Sequence, residues 1–315
     1  MNHITKNFLL ILVLLFLAIF ILHETLSRQL PPSSIQINPR KHLEEVLTKK
    51  PSFLTFPTTI ISAFFDISRN GRPNEHYFNW IKQTLKLNAP FIFFTQAKLR
   101  NKIEAIFSEL QINQKRFTII TIELEELEYY KDIETVKIIL SSSNYKEKIA
   151  YPDRIECTNP FYSIVIFSKL TLLVKGAQLN PFNSTKFVWL DAGISRFFKD
   201  FDPSQSLTGK LLSNNSFYIT LEGQAFKDKD FQTKNEQIIM TAKNFFLAGI
   251  MGGTYDAILN VSNELKKKWK YLLNKQIVNN EQLGLLLVYF ENPNLFSFKE
   301  IPNTDYLAEV FKFLV

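Results

Sequence analysis

Cysteine is nearly missing from this sequence. Cys157 is its single thiol, which excludes an intrachain disulfide framework and any cysteine-based zinc site. Histidine is almost as scarce: of four residues, His3, His23 and His42 precede the region that reads as folded. That leaves His76, so HExxH zinc chemistry is excluded and a Ser-His-Asp triad would rest on one residue that reads as structural. The nine glycines supply neither GxGxxG nor GxxxxGK[ST] spacing, which disfavours dinucleotide and P-loop sites. No internal repeat of fixed period runs through the chain. A content of 46% hydrophobic and 21% charged residues rules out disordered, collagen-like and coiled-coil classes.

The formal charge of +7 is spread rather than concentrated. Lys266, Lys267, Lys268 and Lys270 form the densest basic run, balanced by Glu123, Glu125, Glu126 and Glu128; both read as solvated helix faces. With no arginine-rich stripe and no interleaved base-stacking motif, nucleic acid is not an expected partner.

One long apolar run stands out, Phe8 to Leu22 (FLLILVLLFLAIFIL), fifteen residues without a charge, Gly or Pro. At 1.5 Å per residue it spans roughly 22 Å of a ~30 Å hydrocarbon core, extensible with Ile4 and Leu26. A cleaved signal peptide and a retained signal-anchor compete, and the stretch His23 to Arg28 offers no A-x-A-like pair, which favours the anchor. The chain then reads as a short tail (1–7), a transmembrane signal-anchor (8–22), a proline-bearing stem (23–57) and one large domain (58–315). A short tail before a large body implies a single-pass protein whose C-terminal domain is lumenal, in Golgi or ER, or otherwise extracytoplasmic. The short span suits thinner early-secretory bilayers. Asn183, Asn214 and Asn260 head N-x-[ST] acceptors of a glycoprotein, which such exposure permits.

Within the domain, apolar β-branched runs alternate with helical periodicity. Strands are expected at Thr58–Phe65, Pro90–Thr95, Phe117–Ile122 and Lys186–Leu190, with helices over His76–Leu87, 98–110 and Ser163–Lys175. This alternation predicts an α/β fold, a mostly parallel sheet flanked by helices. Ligands of such sheets bind beyond the carboxyl ends of the strands, and two expected strands end on carboxylates, Asp66 and Asp191. Either could coordinate a hard cation or accept hydrogen bonds from a sugar hydroxyl, or serve only as a turn or helix cap. Gly249, Gly252 and Gly253 cluster in a glycine-poor chain, which suggests a close backbone approach, a positive φ, or a tight bend.

Four blocks, ISAFFDISRNGR (61–72), FVWLDAGISRF (187–197), FFLAGIMGG (245–253) and NNEQLGLLLVYFENPNLF (279–296), resemble the HtrL/YibB family, which is glycosyltransferase-like. They occur in family order across nearly the whole domain. The resemblance implies a GT-A-type, nucleotide-sugar-binding domain in which LDAG stands where such enzymes carry a D-x-D metal motif. Asp191 is then the expected ligand of Mn²⁺ or Mg²⁺. Gly193 takes the second acidic position without a side chain to ligate, which leaves metal dependence open. The resemblance also assigns Phe64, Asp66 and Arg69 to the nucleotide, with Arg69 on the diphosphate. Gly252 and Gly253 would shape the donor-sugar or acceptor side. Asp191 and Glu281 would be catalytic, with Gln282 in support and Asp256 a second candidate base. Trp80, Trp189 and Trp269 read as core or helix packing.

The expected function is transfer of a sugar from a nucleotide-sugar donor to a glycan acceptor by a membrane-anchored protein. Two alternatives stay open. One is a non-catalytic glycan- or nucleotide-sugar-binding protein on the same fold, which Gly193 favours. The other is a hydrolase with paired carboxylates ~5–10 Å apart. The anchor has its own test: after alkaline carbonate washing the full-length chain should stay in the membrane pellet, and removal of residues 1–22 should release it. A full-length chain recovered in the supernatant would contradict the anchor.

Overall fold

β-Branched and aromatic runs build the middle of a seven-stranded mixed sheet. The computed structural model describes residues 56–69, 71–197, 209, 212, 215–223, 225–234, 236–241, 243, 245–302 and 310. The anchor, all but the end of the stem and Asn214 lie outside the described residues. The strands are β1 (Thr58–Phe64), β2 (Phe91–Thr95), β3 (Phe117–Thr121), β4 (Lys186–Leu190), β5 (Phe217–Glu222), β6 (Phe246–Gly253) and β7 (Phe296–Ile301). Their spatial order is β3-β2-β1-β4-β6-β5-β7. β1 runs parallel to β2 and β4, β2 to β3, and β5 to β7, whereas β6 is antiparallel to both neighbours.

Helices cover both faces, so the strands are apolar on both sides rather than alternating. α1 (Asn74–Thr84) and α2 (Ala97–Glu109) pack on one face, against Ile60, Phe91, Phe93, Val188, Leu190 and Ile250. On the other lie α3 (Ile133–Ser141), α4 (Pro160–Leu179), α5 (Tyr255–Asn274) and α6 (Glu281–Glu291), against Ile61, Ile92, Phe94, Phe187, Trp189 and Met251. Period-two alternation of the side chains separates the two cores.

α4 is the central helix. Asn159 caps it by accepting the Tyr162 N–H at 3.2 Å, and Pro160 fits its first turn. Asn180, at φ 36°, ends it in the left-handed conformation. By length and composition α4 could cross a membrane, yet most of it is buried inside the domain. A helix apolar all round is what a core helix requires.

The glycine-rich block 245–253 is where the structure departs most from expectation. It forms the interior strand β6, not a loop beside a ligand. Gly252 pairs with Val188, and a Cβ at Gly252 would stand 2.1 Å from the Phe187 carbonyl oxygen. At Gly253 it would meet Ala257 and Ser216 at 3.3 Å. Close backbone approach, not positive φ, explains these glycines. Gly252 and Gly253 therefore pack the sheet, and neither lines the cavity described below. Gly252→Ala should cost about 3 kcal/mol or more, the cost of overpacking a rigid backbone contact. Urea unfolding measures it, and a loss below ~1 kcal/mol would refute the close approach.

Candidate functional site

β1 and β4 are parallel neighbours, so their carboxyl ends open at the same rim. Alternation along β4 turns Phe187 and Trp189 toward α4 and Val188 and Leu190 away from it. Asp191 continues that period. Its N–H donates to the Gly249 carbonyl at 3.0 Å, extending the β4–β6 ladder by one residue, and its carboxylate meets α4. There Lys169 Nζ lies 2.8 Å from Asp191 Oδ1 and 2.6 Å from Glu281 Oε1. Trp189 Nε1 donates to the same Asp191 Oδ1 at 2.8 Å, so Trp189 orients a site carboxylate as well as filling core.

Glu281 opens α6 just after Asn280, whose side chain accepts the Leu283 N–H at 3.1 Å. The helix N-terminus favours a carboxylate in that first turn. Burial works against the Lys169 charge, yet Asp191 and Glu281 outweigh it and lift the lysine's pKa. Burial raises the Glu281 pKa, with Lys169 opposing. Lys169 thus carries a locked positive charge shared by two acids.

Asp191 and Lys169 help line a 130 Å³ cavity. Arg69, Arg72 and Arg196 complete its charged lining, with Phe64, Tyr77 and Tyr162 among the rings between them. Arg69 donates to Tyr77 Oη at 3.0 Å and lies over the Tyr162 ring, 5.2 Å from its centroid. Gly71, at φ +71°, lets the chain turn so that the Arg72 N–H reaches the Arg69 carbonyl at 3.3 Å. Arg196 stands on the 3₁₀ turn Ile194–Phe197, its guanidinium 4.6 Å from the Phe197 centroid and 5.7 Å from that of Trp80. Burial depresses the Arg196 pKa; Asp191 opposes that, and Arg72 and Arg69 add to it by repulsion. Among the described residues none of these three arginines pairs with a carboxylate. Three guanidiniums around one cavity, two of them on aromatic faces and none paired with a carboxylate among the described residues, make a candidate anion site.

Several expected residues sit elsewhere. Asp66 does not line the cavity. It accepts the Ser68 N–H at 3.2 Å and Lys98 Nζ at 2.9 Å, while its own N–H donates to Gln96 Oε1 at 2.8 Å. It is a turn residue tied toward α2, and the Lys98 hydrogen bond lowers its pKa. Asp66 and Asp191 therefore do not share the cavity, because the first is drawn to the β2 side of β1 and the second to α4. Phe64 does line the cavity, stacked on Tyr77 with centroids 4.9 Å apart. Glu281 is 2% exposed and lies behind Lys169, out of reach of a sugar hydroxyl. Gln282, Asp256 and His76 are absent from the lining.

Lys169, Arg72 and Arg196 were not anticipated. Arg72 and Arg196 stand inside the blocks 61–72 and 187–197, and Lys169 is the one charge between Pro160 and Val174. A lone lysine in so apolar a helix is the signal that could have found it, since burial demands a partner.

A divalent cation does not fit these residues. Asp191 Oδ1 is taken by Lys169 and Trp189, and Glu281 is enclosed behind the lysine. A side chain at position 193 would meet Trp80 at 3.1 Å and Arg196 Nη1 at 3.2 Å. Among the described residues no three His, Cys, Asp or Glu side chains converge. Lys169→Met leaves Glu281 buried, and Asp191 half-buried, without their cation and should cost about 3–5 kcal/mol. Chemical denaturation reads this directly, and a loss under ~1 kcal/mol would contradict the buried pairing.

Comparison with known proteins follows the same boundaries. A family model, HtrL_YibB, described as a bacterial protein of unknown function, matches residues 57–312. Protein HtrL of Escherichia coli (strain K12) is 24% identical over 262 residues, covering 76% of this chain and 86% of that protein. Among solved structures, the galactosyltransferase LgtC in complex with donor and acceptor sugar analogues aligns over 82% of this chain and 84% of its own. Its TM-score of 0.39 and 11% identity are too low to carry an argument.

Proposed function

The chain belongs to the HtrL/YibB family, whose match takes in every cavity residue named above, and from that premise we propose that it is a glycosyltransferase of GT-A type using a nucleotide-sugar donor and a glycan acceptor. The observation that carries this reading is the cavity at the carboxyl ends of β1 and β4, where Arg69, Arg72 and Arg196 surround the Asp191 carboxylate. Its charge suits a diphosphate, and its position is where ligands of open α/β sheets bind. The apolar run 8–22 supports a membrane anchor, with the domain on the lumenal or extracytoplasmic side.

In glycosyl transfer the bond between the anomeric carbon and the diphosphate oxygen breaks, and the leaving group keeps the electron pair. The acceptor oxygen then bonds that carbon and loses its proton. The chemistry needs cations at the phosphates and negative charge near the sugar ring as it becomes electron-poor. Arg69, Arg72 and Arg196 supply the first. Asp191 supplies the second and accepts donor hydroxyls through Oδ2, while Lys169 and Trp189 hold Oδ1. A Cβ at Gly249 would stand 3.7 Å from that Oδ2, so the glycine keeps its side uncluttered.

One observation favours a second reading, a non-catalytic glycan- or nucleotide-sugar-binding protein on the same fold: among the described residues Asp191 is the sole carboxylate in the cavity lining. Turnover separates the two. UDP- and GDP-sugars at ~100 times Kd should stabilise the full-length protein by ~2.7 kcal/mol, several degrees in Tm. An active enzyme should also release free nucleoside diphosphate from one of them. Asp191→Asn, which keeps an oxygen for Lys169, should abolish release and weaken the stabilisation with the fold retained. Stabilisation without release would select a nucleotide-sugar-binding protein, and no shift with any nucleotide sugar would refute the transferase and favour a glycan-binding protein.

A further inference from the structure

The cavity carries its cations as side chains, in the places where a metal site would need empty space and carboxylates. We propose that this protein binds the diphosphate of its ligand without a divalent cation, on a clamp formed by the guanidiniums of Arg69, Arg72 and Arg196. The proposal rests on the nucleotide-sugar reading and specifies how that same site holds the phosphates.

Three observations support it. The first is the Lys169 ammonium, which lies within 2.8 Å of Asp191 and 2.6 Å of Glu281. It occupies the point between two carboxylates at which a divalent ion would draw ligands from both. The second is Gly193. The space a side chain would take there is bounded by the Trp80 ring at 3.1 Å and Arg196 Nη1 at 3.2 Å. Any carboxylate placed there would lie against the Arg196 guanidinium and pair with it before it could serve as a second acidic ligand. The third is the surplus of positive charge, with no carboxylate partner for any of the three arginines among the described residues.

A cation could still approach Asp191 Oδ2, since one carboxylate plus substrate phosphates can suffice for Mg²⁺. It would share the Asp191 carboxylate with the Lys169 ammonium, and the like charges repel. The diphosphate gains the same neutralisation from planar guanidiniums, which offer paired N–H donors matched to phosphate oxygens. The aromatic faces of Tyr162, Trp80 and Phe197 hold two of them in place before any ligand arrives.

Titration calorimetry of the full-length protein with UDP and with GDP, in excess EDTA and in excess MnCl₂, tests the clamp. The expected result is binding of at least one nucleotide with Kd equal within about twofold in the two buffers. Arg72→Gln and Arg196→Gln should each weaken that Kd by about tenfold or more, the loss of one charge-assisted contact of ~1.5–3 kcal/mol. Arg196→Lys should recover only part of the loss, because it restores the charge but not the fork. Circular dichroism verifies that each variant is folded, and Arg72, on the turn after β1, serves where Arg196 proves structural. Binding seen only with MnCl₂ overturns the clamp and leaves the nucleotide-sugar reading standing. No binding in either buffer overturns that reading and the clamp together. Unchanged affinity in both folded glutamine variants also overturns the clamp.

Discussion

The Lys169 ammonium, buried between Asp191 and Glu281, joins the core helix α4 to the end of β4 and the start of α6. Removing it would leave Glu281 enclosed and Asp191 half-buried without their cation, so the contact fixes where three segments meet. It also sets the direction of Asp191. With Oδ1 held by Lys169 and Trp189, the remaining oxygen has a defined place in the cavity lining. Glu281 then neutralises the lysine from behind and gives no side-chain contact to the cavity.

The rest of the site follows from that arrangement. Because Lys169 is matched by carboxylates, the arginines across the cavity are the charges left to recruit an anion. They come from two chain segments that leave adjacent strand ends, the turn after β1 and the 3₁₀ turn after β4. Parallel pairing of β1 with β4 places both segments at one rim, and aromatic rings from α1 and α4 support the guanidiniums. The sheet's mixed character is confined to the other side, where β6 returns antiparallel beside β4 and its glycines allow the two backbones to close.

Much of the fold was legible because parallel strands buried on both faces read as uninterrupted apolar runs. β4 matched its run residue for residue, and β1 to β3 ended within one residue of theirs. The α/β class followed from alternation alone. β6 was not legible, since FFLAGIMGG carries turn-like glycines whose reason is a neighbouring backbone that no local pattern encodes. The site was read in part. Asp191 was singled out as a carboxylate at a strand end and Arg69 through the family resemblance, and both line the cavity. Asp66 satisfied the same rule and turned out to be a turn residue, because which way a strand-end carboxylate faces depends on partners such as Lys98 and Gln96. The resemblance assigned Glu281 a catalytic role, whereas its partner in the fold is Lys169, 112 residues away, beyond anything periodicity can relate. Arg72 and Arg196 could not be told from ordinary surface arginines until the fold set them around one cavity.

The claim on which the account stands is that the cavity between β1 and β4 receives a diphosphate on arginine side chains. The most direct measurement is a crystal structure of the protein with UDP or GDP bound, grown with chelator present. The account predicts phosphate oxygens within hydrogen-bond distance of at least two of Arg69, Arg72 and Arg196, with a ribose or sugar hydroxyl directed at Asp191 and the Lys169 pairing intact. A nucleotide seated away from this cavity would contradict it, as would one whose phosphates touch none of the three arginines.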